Sequence, residues 1–453
     1  MSQLSTEAQN LVVGLGVTGL SCVRYLVRNK LNCKVVDTRD NPPGLDVLRE
    51  EFPEVEYELG PLQESTLLAA QRLIVSPGVS LKTEAIAKAI AAGIKVSGDI
   101  DIFAKEVTAP IVAVTGSNGK STVVSMVAEI LHASGRSFAI GGNLEAGLGQ
   151  PALDLLSGEP KEFYVLELSS FQLETTECLD AEVATILNVS EDHMDRYEDM
   201  DQYEIAKQRI FHGCKHAVLN RDMPTLPCLE NFSGVTSGFG FSASGPDDVR
   251  LVKQNSDARI VKGDTELFKV NDLHVVGRHN LANAMAAAAL CLAIGIEADA
   301  IEQGLSRFPG LPHRCQWVAS LGGVDFYNDS KGTNVGATVA AVEGLGEKIS
   351  GQIVLIAGGE GKGADFSALS PALAKWVKKM ILIGVDGSVI ADAVGDQCEF
   401  AFAADMPGAI GMARVVAVPG DAVLLSPACA SFDMFSGFQQ RGEVFAQTVG
   451  SLQ

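Results

Sequence analysis

The stretch TGSNGKST, residues 115–122, places a glycine turn, a lysine and two hydroxyl side chains directly after the apolar run IVAV. A strand that enters a helix through such a turn presents backbone N–H groups and the positive end of the helix to an anion. The usual phosphate-binding loop has the pattern G-x-x-x-x-G-K-[ST]. Only two residues separate Gly116 from Gly119, so this loop is two residues shorter. The stretch therefore predicts an α/β nucleotide-binding domain with an unusual loop.

The side chains of this loop suit a bound nucleoside triphosphate. Lys120 supplies a compact cation for the outer phosphates, and Ser121 or Thr122 offers a hydroxyl oxygen to Mg²⁺. The alternative is a chance Gly-Lys pair at the start of an ordinary helix. Strand, turn and helix follow one another in the order that phosphate binding requires, so we favour nucleotide binding.

Length, composition and charge limit the classes of function. The 453 residues suggest about three domains at roughly 150 residues each. The chain is 47% hydrophobic and 20% charged, with no apolar run long enough to cross a bilayer. A net charge of −21 disfavours nucleic acid and anionic membranes as partners. Phosphate or carboxylate ligands must then be held by local cations and helix N-termini.

The cysteines and the N-terminus indicate a reducing compartment. The nine cysteines are scattered and form no C-x-x-C pair, which favours reduced thiols over disulfides or a structural zinc. The first ten residues, MSQLSTEAQN, lack the basic and apolar regions of a signal peptide. We expect a cytoplasmic monomer without membrane insertion and without a nucleic-acid partner.

Three successive α/β patterns divide the chain. Apolar runs alternate with helical patterns in the first part, including a helix from Thr18 to Asn29, which predicts a Rossmann-like parallel sheet. The pattern restarts at IVAVTG with a central P-loop domain, in which antiparallel strands are expected between about Asn231 and Val270 before an alanine-rich helix. After FPGLPHR a third, Rossmann-like α/β pattern follows. We predict domains at 1–98, 99–309 and 310–453.

A second glycine-rich turn, GLGVTG at residues 14–19, follows the first strand and has the pattern G-x-G-x-x-G. Asp37 ends the next strand about twenty residues further on, as in dinucleotide-binding domains. The same turn suits any pyrophosphate, including that of a UDP-sugar. Because a P-loop domain follows, we favour a nucleotide-diphosphate ligand over NAD. A tight strand-to-helix turn without a ligand is the third interpretation.

Acidic and imidazole groups follow strands near the P-loop. Glu167 lies in YVLELSSFQLE, and Asp192, His193 and Asp195 lie in NVSEDHMDRY. Carboxylate oxygens suit Mg²⁺, and a neutral imidazole can complete or orient the metal shell. Taken singly, such residues are usually solvated, but the ends of strands beside a P-loop favour a functional role. Lys207 lies on an amphipathic helix, where a lysine is normally a surface charge.

Seven stretches in this order resemble the Mur ligases: TGSNGKST, ELSSFQLE, NVSEDHMDRY, GRHNLANA, LPHR, NDSKGTN and SPACASFDMF. The resemblance covers nearly the whole chain, and the short loop is the form that Mur ligases and the related folylpolyglutamate synthases use. DTRDNPPG and SPACASFDMFSGFQQRG resemble the D-glutamate-adding member, and the DNPR motif of the diamino-acid-adding member is absent. The chain departs from the pattern between Asn143 and Glu167, where Glu145 to Gln150 look inserted.

The resemblance implies ATP-dependent amide synthesis in the formation of peptidoglycan precursors. The L-alanine carboxylate of UDP-N-acetylmuramoyl-L-alanine would attack the γ-phosphorus of ATP, and the amine of D-glutamate would displace phosphate from the acyl phosphate. Phosphorylation is chemically reasonable because a carboxylate alone offers an amine no leaving group. The alternatives are another ligase of the Mur or folylpolyglutamate type, an NAD-dependent oxidoreductase, and a non-catalytic ATP switch.

The resemblance also implies the residues that bind ATP and metal. Lys120 would bind the β- and γ-phosphates, and Ser121 with Glu167 would bind one Mg²⁺. His193 would bind a second Mg²⁺, which a carbamylated Lys207 helps to hold. The implied ATP site comprises Gly116, Ser117, Asn118, Gly119, Lys120, Ser121, Thr122, Asn280, Asn283, Arg314, Asp329 and Lys331.

The other two substrates are assigned to the first and third domains in the same way. The implied nucleotide-sugar site comprises Gly14, Gly16, Val17, Thr18, Gly19, Asp37, Thr38, Arg39, Ser76, Gly78, Asn143 and His193. The implied D-glutamate site comprises Thr333, Lys362, Ser431 and Phe438. From the residues alone, Lys362 would be an ordinary loop lysine.

Overall fold

The computed structural model describes residues 10–144, 148–224, 226–230, 232–254, 257–275 and 277–452. These residues form three α/β units, each built around its own sheet, so the predicted class and three-domain organisation are confirmed. The exact limits at 1–98, 99–309 and 310–453 stay predictions. The expected insertion at Glu145 to Gln150 falls partly outside the described residues, because 145–147 are not among them.

The first unit is a parallel sheet with helices around it. Its strands are β1 (Asn10–Val13), β2 (Cys33–Asp37), β3 (Glu56–Leu59), β4 (Arg72–Val75) and β5 (Lys95–Ser97). Its helices are α1 (Val17–Arg28), α2 (Leu45–Glu51), α3 (Glu64–Ala69), α4 (Glu84–Ala91) and α5 (Asp99–Glu106). The strand order is β3-β2-β1-β4-β5, which reverses direction between β1 and β4. The loops after these two strands therefore open on a crevice at the carboxyl edge, where ligands bind in such sheets.

The central unit contains a larger, mixed sheet. Its strands are β6 (Ile111–Thr115), β7 (Phe138–Gly142), β8 (Phe163–Glu167), β9 (Val183–Ile186), β10 (His216–Asn220), β11 (Val235–Gly240), β12 (Val249–Gln254), β13 (Asp257–Lys262) and β14 (Thr265–Lys269). Its helices are α6 (Lys120–Ala133), α7 (Ala152–Leu155), α8 (Ser170–Glu174), α9 (Met200–Gln208), α10 (Arg278–Ala293) and α11 (Ala298–Arg307). The order is β14-β13-β12-β11-β10-β9-β6-β8-β7, with the P-loop strand β6 between β9 and β8.

The strands predicted as antiparallel are only partly so. β12, β13 and β14 pair antiparallel as expected. β11 instead pairs parallel with β10 along its length and meets β12 in parallel only at Phe239 and Gly240. Turn residues in the sequence do not reveal that β11 first extends the parallel sheet. The alanine-rich helix is confirmed as α10, and its small side chains are buried against α6 and α11.

The third unit is a mostly parallel sheet. Its strands are β15 (Gln316–Leu321), β16 (Val324–Asn328), β17 (Ile353–Gly358), β18 (Val377–Ile383), β19 (Phe400–Phe402) and β20 (Ala422–Leu425). Its helices are α12 (Val335–Gly346), α13 (Ser370–Trp376), α14 (Gly387–Val394), α15 (Met406–Val416) and α16 (Phe438–Gly450). The order is β15-β16-β20-β17-β18-β19, and β15 alone runs antiparallel to its neighbour. Short 3-10 helices lie at Arg209–Phe211, Pro227–Leu229, Val270–Asp272, Phe366–Leu369 and Gly395–Gln397.

Candidate active site

The P-loop holds its lysine through backbone carbonyls. Lys120 Nζ donates to the carbonyl oxygens of Gly116 at 2.8 Å and Ser117 at 2.9 Å. Gly119 precedes α6 with a φ of 84°, which a glycine adopts without strain. Burial lowers the pKa of Lys120. Among the described residues Lys120 forms no ion pair, so its ammonium can turn from these carbonyls to a phosphate.

Side chains from the end of β9 and from α9 fix the loop. The backbone N–H of Asn118 donates to Asn188 Oδ1 at 2.8 Å, and Asn188 Nδ2 donates to the Asn118 carbonyl at 3.0 Å. Ser117 Oγ donates to the Ser190 carbonyl at 2.9 Å and lies 3.1 Å from the Tyr203 hydroxyl. These reciprocal bonds hold the short loop in one conformation before any ligand binds.

Glu167, at the end of β8, presents a buried carboxylate oxygen that fits a metal. Its Oε1 accepts a hydrogen bond from Asn143 Nδ2 at 3.1 Å, and its Oε2 has no hydrogen-bond partner within the described residues. Ser121 Oγ, in the first turn of α6, accepts from Arg314 at 3.0 Å. Carboxylate and hydroxyl oxygens are the ligands that Mg²⁺ prefers, so the orphaned oxygen beside the P-loop fits this ion.

The surroundings of His193 favour its neutral imidazole. Burial lowers its pKa, nearby Asp192 opposes this shift, and the charges of Lys362 and Lys120 add to it. Its Nε2 lies 3.6 Å from Asp192 Oδ2. A neutral imidazole is the form that ligates metals. In the part of the chain that the structure describes, no three His, Cys, Asp or Glu side chains form a metal site by themselves. A divalent ion here would therefore share its coordination with substrate phosphates, as Mg²⁺ commonly does.

Lys207 is buried rather than on the surface, so the interpretation of a surface charge is wrong. Its side chain on α9 is 1% exposed, and Nζ donates at 3.0 Å to the Gly116 carbonyl, which also accepts from Lys120. Burial lowers the pKa of Lys207 well below its ordinary value, and the charge of Lys120 lowers it further. A lowered pKa favours the neutral amine, which is the form that can react with CO₂.

A cavity of about 170 Å³ opens beside the P-loop, between α10 and the third unit. A Cβ on Gly119 would lie 2.5 Å from Asn283 Oδ1, so α10 closely approaches the loop. Asn280 and Asn283 are buried, so they do not lie on a solvent-exposed face of α10. Burial raises the pKa of Asp329 to about 7. The cavity lining includes these predicted residues: Asn118, Gly119, Thr122, Asn280, Asn283, Arg314, Asp329 and Lys331.

A larger cavity, of about 820 Å³, lies between the first and central units. Gly19 is not among the residues that line it, and a Cβ at Gly19 would collide with the Gly14 carbonyl oxygen. Asp37 accepts hydrogen bonds from the backbone N–H groups of Leu15 at 2.7 Å and Arg39 at 2.9 Å. Burial alone would raise the pKa of Asp37, but its hydrogen bonds lower it. The lining includes these predicted residues: Gly14, Gly16, Val17, Thr18, Asp37, Thr38, Arg39, Ser76, Gly78 and Asn143.

The residues predicted to bind D-glutamate line neither cavity. They lie on loops after β16, β17 and β20 and at the start of α16. Lys331 Nζ is 3.9 Å from the centroid of the Phe438 ring, and the Thr333 N–H donates to the Lys331 carbonyl at 2.8 Å. Ser431 is buried. The positive charge of Lys362 adds to the effect of burial in lowering the pKa of His193. The structure thus brings these residues to one edge of the third sheet.

Sequence profiles of known families match three consecutive parts of the chain. The MurD-like N-terminal domain of Mur ligases matches residues 8–98, the Mur ligase middle domain matches 114–291, and the Mur ligase glutamate ligase domain matches 313–429. The UDP-N-acetylmuramoylalanine--D-glutamate ligase of Pseudomonas aeruginosa is 49% identical over 453 residues, covering 100% of both chains. The chain belongs to the Mur ligase family.

Other members of the Mur ligase family agree with this assignment. The ligase of the same name from Marinobacter nauticus is 48% identical over 452 residues, again covering 100% of both chains. The structure of the UDP-N-acetylmuramate-alanine ligase MurC from Thermotoga maritima matches with a TM-score of 0.62 and 18% identity, covering 99% of this chain and 100% of that one. At that identity the match shows the shared fold alone. The family consists of ATP-dependent ligases, consistent with ATP and Mg²⁺, and an NAD-dependent oxidoreductase is not favoured.

Four residues of this Mur ligase site were not predicted from the sequence: Asn188, Tyr203, Asn334 and Arg441. Asn188 lies two residues after the end of β9, the strand beside β6, which was a usable signal. Asn334 Nδ2 bonds Asn118 and Asp192 across two units, at 3.1 and 3.3 Å. Such contacts arise only from tertiary structure. The same holds for the contact of Tyr203 with Ser117 and for Arg441, which donates to the carbonyls of Ser330 at 2.8 Å and Cys429 at 3.1 Å. No helix of the described residues is long and apolar enough to cross a membrane.

Proposed function

We propose that this Mur ligase joins D-glutamate to UDP-N-acetylmuramoyl-L-alanine with the cleavage of ATP to ADP and phosphate, in the synthesis of peptidoglycan precursors. The observation that carries the proposal is identity of 48–49% over the full length of ligases with that activity in their names. The P-loop, the orphaned Glu167 oxygen and the two cavities supply the chemistry that such a reaction needs.

The first half-reaction activates the acid. An oxygen of the L-alanine carboxylate attacks the γ-phosphorus of ATP, the bond to the β-phosphate oxygen breaks, and ADP leaves. Lys120 moves from the carbonyls of Gly116 and Ser117 to the β- and γ-phosphates. Its charge and the N-terminus of α6 stabilise the negative charge that develops on the transferring group.

Residues around the P-loop would hold the metal. Ser121 and Glu167 would ligate one Mg²⁺, and His193 a second. The ions would neutralise charge on the phosphates and on the substrate carboxylate. We propose further that Lys207 is carbamylated: its neutral nitrogen attacks the carbon of CO₂ and loses one proton, which leaves a carboxylate that helps to hold the second ion.

The second half-reaction forms the amide. The amine of D-glutamate attacks the carbonyl carbon of the acyl phosphate, and phosphate leaves with the oxygen it acquired from the carboxylate. We assign Thr333, Lys362, Ser431 and Phe438 to the carboxylates of D-glutamate, which requires their loops to approach His193. Besides burial, the positive charge of Lys362 lowers the pKa of His193, which supports this placement.

The two cavities divide the nucleotides between them. The cavity of about 820 Å³ offers the GLGVTG turn and the Asp37–Arg39 turn to the UDP part of the nucleotide sugar. The cavity of about 170 Å³ offers Asn283, Asp329 and Lys331 to the adenosine part of ATP. Because both nucleotides are metabolites of the cell interior, we also propose that the ligase acts in the cytoplasm. The monomeric state stays a prediction.

Product formation with different amino acids tests the proposal. The purified chain is supplied with Mg²⁺, ATP and UDP-N-acetylmuramoyl-L-alanine, and phosphate and ADP are measured with D-glutamate or L-glutamate. Release that depends on D-glutamate and yields a new amide is the expected result. Release with another amino acid instead would indicate a different ligase of the same architecture. Release of ADP and phosphate at the same rate with and without an amino acid would indicate a non-catalytic ATP switch.

A further inference from the structure

Arg196 connects the nucleotide-sugar cavity to the turn that carries His193. The loop after β4, Ser76–Val79, lines the cavity of about 820 Å³ with all four of its residues. One terminal nitrogen of the Arg196 guanidinium donates to the Pro77 carbonyl at 2.8 Å, and the other donates to the Val79 carbonyl at 3.3 Å. A side chain of the central unit therefore holds the loop of the first unit that closes this cavity.

The guanidinium is itself fixed by the central unit. The nitrogen that reaches Val79 also donates to Glu174 Oε2 at 2.8 Å, and the guanidinium carbon lies 4.2 Å from the centroid of the Phe171 ring. The side chains of Arg196 and Glu174 are only 12% and 19% exposed. Charge-assisted bonds in such a partly desolvated place are strong and directional. The guanidinium is thus held in one orientation by the Glu174 carboxylate, the Phe171 ring and the two carbonyls of the Ser76–Val79 loop.

The same residue belongs to the His193 turn. The backbone N–H of Arg196 donates to the His193 carbonyl at 2.9 Å. Phe171, which packs on the guanidinium, also contacts the imidazole of His193, with 4.8 Å between ring centroids. Movement of the Ser76–Val79 loop relative to His193 would break contacts on both sides of Arg196.

We propose that Arg196 is a positioning residue that sets the distance between the bound nucleotide sugar and the phosphoryl-transfer centre. The proposal rests on the proposed function. The nucleotide sugar binds largely on the first unit, but its carboxylate must meet a centre built on the central unit. A misplacement of about 1 Å in such a reaction lowers the rate about a hundredfold. Arg196 acts through the carbonyls of Pro77 and Val79.

Steady-state kinetics of Arg196→Lys tests this role, because lysine keeps the charge but cannot reach both carbonyls and Glu174 together. We expect the KM for the nucleotide sugar to rise about tenfold or more and kcat to fall. The KM values for ATP and D-glutamate should change by less than about twofold. Glu174→Gln keeps the shape but removes the orienting charge, and should shift the same KM in the same direction by a smaller factor.

Arg209→Lys is the matched control. Arg209 also holds α8 and its C-terminal end, donating to the carbonyls of Leu173 and Thr176 at 2.7 Å each, but these bonds lie within the central unit. This variant should lower the melting temperature and leave every KM within about twofold. Unchanged kinetics in both Arg196→Lys and Glu174→Gln, or equal kinetic changes in Arg209→Lys, would overturn the proposal.

A direct binding measurement separates this proposal from the proposed function. Titration calorimetry of UDP-N-acetylmuramoyl-L-alanine, without ATP or amino acid, requires no turnover. Weaker binding to Arg196→Lys than to Arg209→Lys supports the positioning role even if the wild-type chain forms no amide. Equal binding of this ligand to the two variants and the wild-type chain counts against it, whatever the activity of the enzyme.

Discussion

Replacement of Gly119 by alanine should weaken both the fold and the binding of ATP. Gly119 has a φ of 84°, so a side chain there costs roughly 1–2 kcal/mol in backbone strain. The added Cβ would also lie 2.5 Å from Asn283 Oδ1, which is too close for two non-bonded atoms. Asn283 must then rotate away and lose its hydrogen bond to Asn280, now 3.3 Å long. That bond contributes about 1 kcal/mol, and the amide also leaves the proposed ATP site.

Gly135→Ala provides the comparison. Gly135 follows the same helix, α6, with a φ of 72°, but a Cβ there would have no atom within 4 Å. Both variants should therefore lose roughly 1–2 kcal/mol from the backbone, and only Gly119→Ala should disturb Asn283. The expected result is a fall of a few degrees in melting temperature for each. The dissociation constant of ATP should rise about tenfold in Gly119→Ala alone.

Calorimetric titration with ATP and thermal unfolding of both variants measure these quantities. The reasoning depends on Asn283 being both the neighbour of Gly119 and a part of the nucleotide site. If Gly119→Ala melts at a lower temperature than Gly135→Ala but binds ATP as tightly, the cavity beside α10 is not the nucleotide site. If Gly119→Ala melts at the same temperature as Gly135→Ala, the close contact with Asn283 is absent in solution.

Four further variants test other parts of the site. Lys120→Ala should reduce ADP release at least about a hundredfold and leave the calorimetric affinity for the nucleotide sugar unchanged, since Lys120 lies at the P-loop; loss of both would mean a misfolded chain. Lys207→Ala should lose most activity and regain part of it with added short carboxylates, and absence of rescue would contradict carbamylation. In the folded state the pKa of Asp329 is about 7, which lies above its value in the unfolded chain. The folded state therefore binds the extra proton, and the free energy of unfolding falls as the pH rises from about 4 to about 7. Asp329→Asn should remove this fall. Urea unfolding of the nucleotide-free protein at several pH values measures this, and an unchanged slope would contradict it. Arg441→Lys, which removes buried bonds to the carbonyls of Ser330 and Cys429, should lower the melting temperature by several degrees and raise the KM for D-glutamate, and an unchanged KM would separate Arg441 from the acceptor site.

Local patterns predicted the architecture better than they predicted the contacts. GLGVTG and TGSNGKST each follow a strand and precede a helix, because glycine turns and apolar runs act over a few residues. The burial of Lys207 could not be seen in the same way, since α9 mixes polar and apolar residues and a lysine on such a helix normally faces solvent. Its environment comes from the Gly116 carbonyl, 91 residues away along the chain. Gly19 shows the converse case, because the pattern G-x-G-x-x-G suggests ligand contact where the structure uses close packing.

The net charge of the chain explains why carbonyl oxygens, and not carboxylates, hold the lysine of the P-loop. With a net charge of −21, a lysine near the surface readily finds a carboxylate, as Lys82 does with Glu198. A lysine bound in that way would have to break an ion pair before it could bind a phosphate. Lys120 and Lys207 instead share the Gly116 carbonyl, a neutral acceptor. Exchange of a carbonyl for a phosphate replaces a weaker hydrogen bond by a charge-assisted one. The carbonyls of the short loop therefore leave Lys120 free of an ion pair with any described residue, within an acidic protein.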